Sequence, residues 1–492
     1  MEFWLQGLAG TLQWDVMLAV LIGVVSGTVI GAIPGLTGTM AIGLLIPFTF
    51  KMPMLVGMGL LLGVYVGSYS GGAFSSILLG IPGTPSNFVT TFDGYPMAKR
   101  GMAGKALVTA VFTSFIGGMF SAVVLSTVAP PLARLALDFG PPEYFAFALL
   151  GLTLVAGAAG DSLSKGLLAG GIGLFLSYIG TDPMTSLPRY TFGSVDLVRG
   201  IPLIPALIGL FALPPLLTEI RRLGEPAAKS VIEDFKIRFL EKNDLKRITP
   251  SLFTSAVIGT IVGIIPGTGS SIAAFISYDT AKSISKNPAE FGQGSIEGVT
   301  ASECCNNATI GGALVPLMVL GIPGDAVTAV LLGGLMIQGL VPGPMLFTDN
   351  PAAVYGIFVV FFAANIFMFL FQYFSLRYYV YVTKIPLKFL VPLLLFLCCI
   401  GSYSISSSMF DVWVMIFIGL GGYMLSTMGF PLAPIVLGLV LGPILEANLR
   451  RSMLMLGGDA TRFLHRPISA FCIVLCCLSI ALFVYRKNKK KK

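Results

Sequence analysis

Long apolar runs fill most of this 492-residue chain, and the polar residues gather in the gaps between them. A helix needs about 20 apolar residues to cross a bilayer, so roughly a dozen membrane segments fit. Backbone amides in lipid must be paired within their own segment, which selects helices. The period-2 alternation of barrel strands does not occur. Residues 1–15 read as an interfacial stretch anchored by Trp4 and Trp14. Residues 16–50 read as two helical pieces around an irregular tip at Pro34-Gly35, and 54–70 as another apolar segment. Residues 71–87 are too broken for a clean span and too apolar for a loop, so they read as a re-entrant hairpin. Asp93-Gly94-Tyr95-Pro96 reads as a turn. Spans follow near 106–128, 143–160, 164–181 and 201–217, then near 352–376, 388–401, 409–427, 431–447 and 468–485.

The pattern is written twice. Gly27-Thr28-Val29-Ile30-Gly31-Ala32-Ile33-Pro34-Gly35 returns as Gly259-Thr260-Ile261-Val262-Gly263-Ile264-Ile265-Pro266-Gly267. Gly80-Ile81-Pro82-Gly83 returns as Gly321-Ile322-Pro323-Gly324, and Pro202-Leu203-Ile204-Pro205 as Pro431-Leu432-Ala433-Pro434. The expected fold is an all-α polytopic membrane protein of two inverted-topology repeats with broken helices and re-entrant hairpins. The repeats would be 1–217 and 250–467. Residues 218–249 would be a cytoplasmic connector, and 468–492 an extra span with a basic cytoplasmic tail.

Charge bears on handedness. The net charge of +8 could suggest nucleic acid, but the basic residues lie in short loops and the tail, so no nucleic-acid partner is expected. With the connector inside, the loop Lys99, Arg100, Lys105 counts as inside, and its repeat partner near 341–351 counts as outside and has no basic residue. That asymmetry implies inversion. Residues 448–467 dissent: they count as outside, yet hold Arg450, Arg451, Arg462 and Arg466. Either that loop meets an acidic partner or the last span is misread. The seven cysteines all lie in or beside apolar runs, so free thiols are expected, and the single histidine leaves no His-based metal site.

Helix breakers repeated within apolar sequence point to a transport site. The tips expose unpaired N–H groups and the positive ends of half-helix dipoles, which bind carboxylates. The candidate substrate residues are Pro34, Gly35, Thr37, Gly38, Gly83, Thr84, Pro85, Ser86, Asn87, Gly267, Thr268, Gly269, Ser270, Gly324 and Asp325. The plainer reading of Gly23, Gly27 and Gly31 is tight helix packing. Ionisable groups at membrane depth are functional by default, so Glu303, with Asn306 and Asn307, is the candidate site for a coupling ion, Na⁺ or H⁺. No other metal or cofactor is expected. A membrane enzyme would need a convergent nucleophile or metal set that the sequence lacks. A passive anion channel, or uptake of a different organic solute by the same fold, stands as the alternative.

These motifs resemble the large membrane subunit of the tripartite tricarboxylate transporters. The resemblance rests on Gly31–Thr37, Leu79–Pro85, Asp93–Ala98, Ile265–Gly269, Glu303 with Asn306-Asn307, and Gly311–Leu314 through Gly321–Gly324. It implies a permease of the bacterial inner membrane that works with a small membrane subunit. A periplasmic solute-binding protein would deliver the substrate. It also implies ion-driven uptake of citrate-like carboxylates. Cys304-Cys305 and Asp325 depart from the family pattern, and a carboxylate at Asp325 would repel an anionic substrate unless protonated or paired with a cation.

Overall fold

A computed structural model describes residues 2–158, 162–222, 239–379 and 387–490. Among them, eight helices are long and apolar enough to cross a membrane: Trp14–Ala32, Met54–Leu79, Thr90–Ala136, Leu203–Arg221, Lys242–Ile264, Pro351–Tyr378, Met409–Thr427 and Ala433–Met455. Shorter apolar helices, including Gly38–Thr49 and Ala326–Ile337, stand between them. The only described sheet is a two-residue hairpin, Gly180–Thr181 against Pro188–Arg189.

The duplication read in the sequence recurs in the backbone. Helices Trp14–Ala32 and Lys242–Ile264 both end on an extended isoleucine, Ile33 and Ile265. A left-handed glycine follows each, Gly35 at φ 89° and Gly267 at φ 82°. Helices Met54–Leu79 and Ile296–Leu320 are both capped by left-handed glycines, Gly80 and Gly321, each at φ 70°. Only glycine adopts this conformation without a steric cost.

Glycine stripes set the helix spacing. Side chains at Gly23, Gly27 and Gly31 would collide with the Leu60, Val64 and Ser68 carbonyls. Gly63, Gly67 and Gly71 press back on Val20, Val24 and Thr28. In the second half, Gly259, Gly263 and Gly312 meet Cys305, Thr309 and Thr260 in the same way. Close backbone approach through small residues is how helices associate where lipid supplies no hydrophobic drive.

The halves also exchange partners. Gly209, in the Leu203–Arg222 helix of the first half, packs on Met415 and Gly419 of the second. Its repeat counterpart Gly438 packs on Gly170 and Gly173 of the first half. A two-fold relation between the halves produces this kind of reciprocity.

Several sequence expectations change. Gly71-Gly72 does not open the first hairpin, because Met54–Leu79 runs unbroken through it, as Ile296–Leu320 does through Gly311-Gly312. The hairpins turn only at Gly80 and Gly321. Asp93–Pro96 is not a turn but part of helix Thr90–Met97. Buried Asp93 accepts the backbone N–H groups of Gly292, Gly294 and Ser295 at 2.9, 2.8 and 2.7 Å, and the Tyr278 hydroxyl at 2.7 Å. It thus fixes the start of the Ile296–Leu320 helix. The first residues form a helix, Glu2–Thr11, with Trp4 against Tyr355 and Phe358. The connector is shorter than 218–249 at both ends, since Leu203–Arg222 and Lys242–Ile264 run into it. Residues 223–238 of it lie outside the described residues.

Ion pairs relate the loops. Lys105 bonds Asp244 at 2.7 Å, so the basic loop shares a face with the start of the second half. Arg450 pairs with Asp182 at 2.9 Å and with Glu446 at 3.1 Å. Arg466 pairs with Glu143 at 2.8 Å and Arg462 with Asp459 at 3.5 Å. Three of the four arginines that disagreed with the charge rule are therefore matched within the chain. Arg450 lies not in a loop but on helix Ala433–Met455, and it ties the end of that helix to the 178–200 loop, which follows the Leu163–Ser177 helix.

Candidate functional site

The paired helices Met54–Leu79 and Ile296–Leu320 carry the polar centre. Every residue from Ile296 to Val319 is buried. Glu303, fully enclosed, accepts hydrogen bonds from Asn87 Nδ2 at 2.9 Å, from Ser114 Oγ at 3.2 Å and from Thr90 Oγ1. An isolated buried carboxylate costs several kcal/mol, so it needs such donors. Asn87 also donates to the Tyr69 carbonyl at 3.1 Å and accepts from the Thr84 hydroxyl, which bonds Ser86 at 2.8 Å. The first hairpin tip is thus gathered on a carboxylate of the second half.

The second tip reaches back. Asp325 caps helix Ala326–Ile337, its Oδ1 accepting from the Thr328 N–H and the Thr328 hydroxyl, both at 2.7 Å. Its Oδ2 accepts from the hydroxyls of Tyr65 at 2.8 Å and Tyr69 at 2.6 Å, both on the first-half helix. Tyr69 therefore touches both tips. Its carbonyl accepts from Asn87 and, at 3.2 Å, from Asn306, while its hydroxyl donates to Asp325. The buried side-chain oxygens of Asn306 and Asn307 have no partner among the described residues, although Asn307 donates to Ser114 at 2.8 Å.

Within each half, the breaker tip meets the hairpin tip. The Gly267 N–H donates to the Gly324 carbonyl at 2.8 Å. Gly83 lies on the Gly31 carbonyl, and Gly324 lies near the Gly263 carbonyl, its repeat counterpart. Gly38 packs on the Ser68 hydroxyl, and Thr37 caps its helix by accepting the Met40 N–H at 3.2 Å. Ser270 is buried, and Gly269 faces open space.

Not every candidate converges. The Thr268 hydroxyl turns to the Val262 and Ile265 carbonyls and so serves its own backbone. Pro34 and Gly35 sit at the first breaker, where the buried Glu219 carboxylate lies against Gly35. Pro85 starts the turn Pro85–Asn87 and is exposed. Tyr65, Tyr69, Thr90 and Ser114 are the members that the sequence reading missed. Two tyrosines one turn apart in mid-span, away from any interfacial belt, were the available signal. A groove of about 610 Å³ between Met184, Leu449, Met453 and Leu454 offers only Arg450 as a polar group and touches none of the tips.

Duplicated broken helices whose ends meet at a buried polar centre define a multi-pass membrane protein of the transporter type. Residues 17–437 match the Tripartite tricarboxylate transporter TctA family, and the chain belongs to that family. It is 38% identical over 474 residues to an uncharacterized 52.8 kDa protein in the TAR-I ttuC' 3' region of Agrobacterium vitis. That match covers 96% of this chain and 94% of the relative. An uncharacterized protein in the TAR-II ttuC' 3' region of the same organism is 40% identical over 234 residues, 47% of this chain and 97% of its own length. This is a family of transporter subunits from tripartite systems, so other subunits accompany the chain.

Proposed function

We propose that the protein is the permease of an ion-coupled secondary uptake system for a small carboxylate, with citrate-like di- and tricarboxylates the first class to test. The observation that carries this reading is the bond from Asn87 of one half to Glu303 of the other, at 2.9 Å. Cargo would bind where the tips meet, near Gly269, Ser270 and Asp325. Na⁺ or H⁺ would bind at Glu303, with the unpartnered amide oxygens of Asn306 and Asn307 as further ligands. Tyr69 links the two sets, its hydroxyl on Asp325 and its carbonyl on Asn87 and Asn306, so occupation of one would change the energy of the other.

Alternating access would come from the tip-bearing helices moving as a unit against Leu163–Ser177, Leu203–Arg222, Met409–Thr427 and Ala433–Met455. A small membrane subunit and a periplasmic solute-binding protein complete the system in the bacterial inner membrane. The connector and C-terminus would be cytoplasmic. Uptake of labelled citrate-like acids into proteoliposomes, with sodium and proton gradients imposed separately, tests the proposal. Gradient-driven accumulation supports it, whereas conduction without coupling would mark a channel.

A further inference from the structure

Every side chain bonded to the Glu303 carboxylate presents a hydrogen to it. Asn87 offers its amide N–H to Oε1 at 2.9 Å, Thr90 its hydroxyl to the same oxygen, and Ser114 its hydroxyl to Oε2 at 3.2 Å. Asn87 cannot turn over. Its Nδ2 also donates to the Tyr69 carbonyl at 3.1 Å, and its Oδ1 accepts the Thr84 hydroxyl. Reversed, its oxygen would face two acceptors, a carbonyl and the carboxylate. Asn307 likewise gives its Nδ2 to Ser114 at 2.8 Å and to the Glu303 backbone carbonyl at 3.1 Å. A hard cation such as sodium needs oxygen lone pairs, so the amide ends turned toward this carboxylate are the wrong ones for it. Among the described residues no lysine, arginine or histidine pairs with Glu303. The charged groups on the helices around it are matched elsewhere: Asp93 by three backbone N–H groups and Tyr278, Lys105 by Asp244, Glu297 by Arg247, and Asp325 by Tyr65, Tyr69 and its own helix cap. The adjacent Cys304 turns its thiol to the Leu252 carbonyl. An enclosed carboxylate with no cation beside it is relieved by taking a proton.

We infer that Glu303 couples transport to protons and not to sodium, alternating between carboxylate and carboxylic acid as the cycle turns. One proton passes from water on one side of the membrane to a carboxylate oxygen and is later returned to water on the other side. No other bond forms or breaks, and only hydroxyls need to move. The Thr90 hydroxyl lies 3.0 Å from the Ser302 hydroxyl, so it can turn there and accept the new acid O–H. Asn87 keeps its place meanwhile through the Tyr69 carbonyl. The assignment rests on the transport reading above and narrows its coupling ion from two to one.

The test uses the full-length protein in proteoliposomes with labelled citrate and the membrane potential clamped. One arm imposes an inward proton gradient in sodium-free buffer, the other an inward sodium gradient at equal pH. Wild type is expected to accumulate citrate in the first arm only. Glu303→Gln keeps the shape and an acceptor oxygen, and its melting temperature verifies that it folds. It is expected to lose accumulation but to retain citrate-for-citrate exchange, which moves no net proton; a merely structural glutamate would lose both. Accumulation driven by sodium alone, or proton-driven accumulation that survives in the variant, overturns the inference and leaves the transport reading intact. Infrared difference spectra across pH read the same group without cargo. Wild type should show a carboxylic-acid band that Glu303→Gln lacks, of equal strength in sodium and in potassium. Identical spectra from the two proteins overturn the proton assignment whatever the cargo is. Absence of citrate movement in every arm overturns the citrate-like reading instead.

Discussion

The Asn87 amide donates to the Glu303 carboxylate across 2.9 Å and 216 residues of chain. Neither group could lie at this depth alone, because each would be a buried polar group without a partner. Removing the acceptor should therefore cost more than removing the donor. Glu303→Ala leaves Asn87, Thr90 and Ser114 short of an acceptor, at about 1–3 kcal/mol for a group left unsatisfied. Thr90 retains the Ser302 hydroxyl as an acceptor, whereas Ser114, which accepts from Asn307, is left with none. The expected loss is about 2–4 kcal/mol, visible as a lowered melting temperature in detergent. Asn87→Ala should cost less, and the double variant less than the sum, as expected for residues in contact. Additive losses would separate the two residues.

Glycine stripes make a sharper stability prediction than any polar group. A methyl at Gly27 would strike the Val64 backbone, which cannot move without its helix. Gly27→Ala should destabilise by about 1–3 kcal/mol through overpacking. Gly421 has nothing within 4 Å of a side-chain position, so Gly421→Ala should stay within about 0.5 kcal/mol of wild type. Chemical denaturation of both variants distinguishes a packing stripe from a merely frequent residue.

Acid should loosen the 178–200 loop. The Asp182 carboxyl accepts the Met184 backbone N–H and pairs with Arg450, which together hold it well below the usual carboxylate range. A depressed value in the folded state means the stabilisation is complete above the unfolded value of about 3.9 and is lost as pH falls below it. The melting temperature should drop from about pH 4 downward, and Asp182→Asn should flatten that part of the curve. A variant with the same acid dependence as wild type would remove Asp182 as the cause.

The Arg450–Asp182 pair places residues 448–467 with the 178–200 loop, and the inverted repeat expects both on the side opposite Lys105. Single cysteines at Arg100 and Arg451, both exposed, should be labelled by an impermeant reagent from opposite sides of the membrane. Exposed Cys477 is replaced first, to clear the background. Labelling from one side would contradict the inverted repeat.

Much of this was legible before any coordinates. The breakers at Pro34-Gly35, Gly80, Pro266-Gly267 and Gly321 announce themselves, because glycine and proline report backbone conformation directly. Glu303 and Asn307 stood out because charge and amide are costly at depth. Gly71-Gly72 misled, since the same residue that breaks a helix also lets two helices touch, and only the neighbour decides which. Asp93 misled for a related reason. Asp-Gly-Tyr-Pro has turn composition, but three backbone N–H groups from a segment about 200 residues away hold that aspartate inside a helix. Tyr65 and Tyr69 showed only as polar groups in mid-span, because their role depends on Asp325 arriving from the other half.

The central question is whether the proposed ion site at Glu303 and the proposed cargo site at the tips share energy. Ligand-induced melting shifts, measured over a matrix of carboxylate, sodium and pH for wild type and Glu303→Gln, read that coupling directly. The ion or proton should tighten carboxylate binding to wild type by about 5–150-fold, as a coupling of about 1–3 kcal/mol would, and Glu303→Gln should bind carboxylate without this dependence. A variant whose carboxylate binding still follows sodium or pH as wild type does would contradict it.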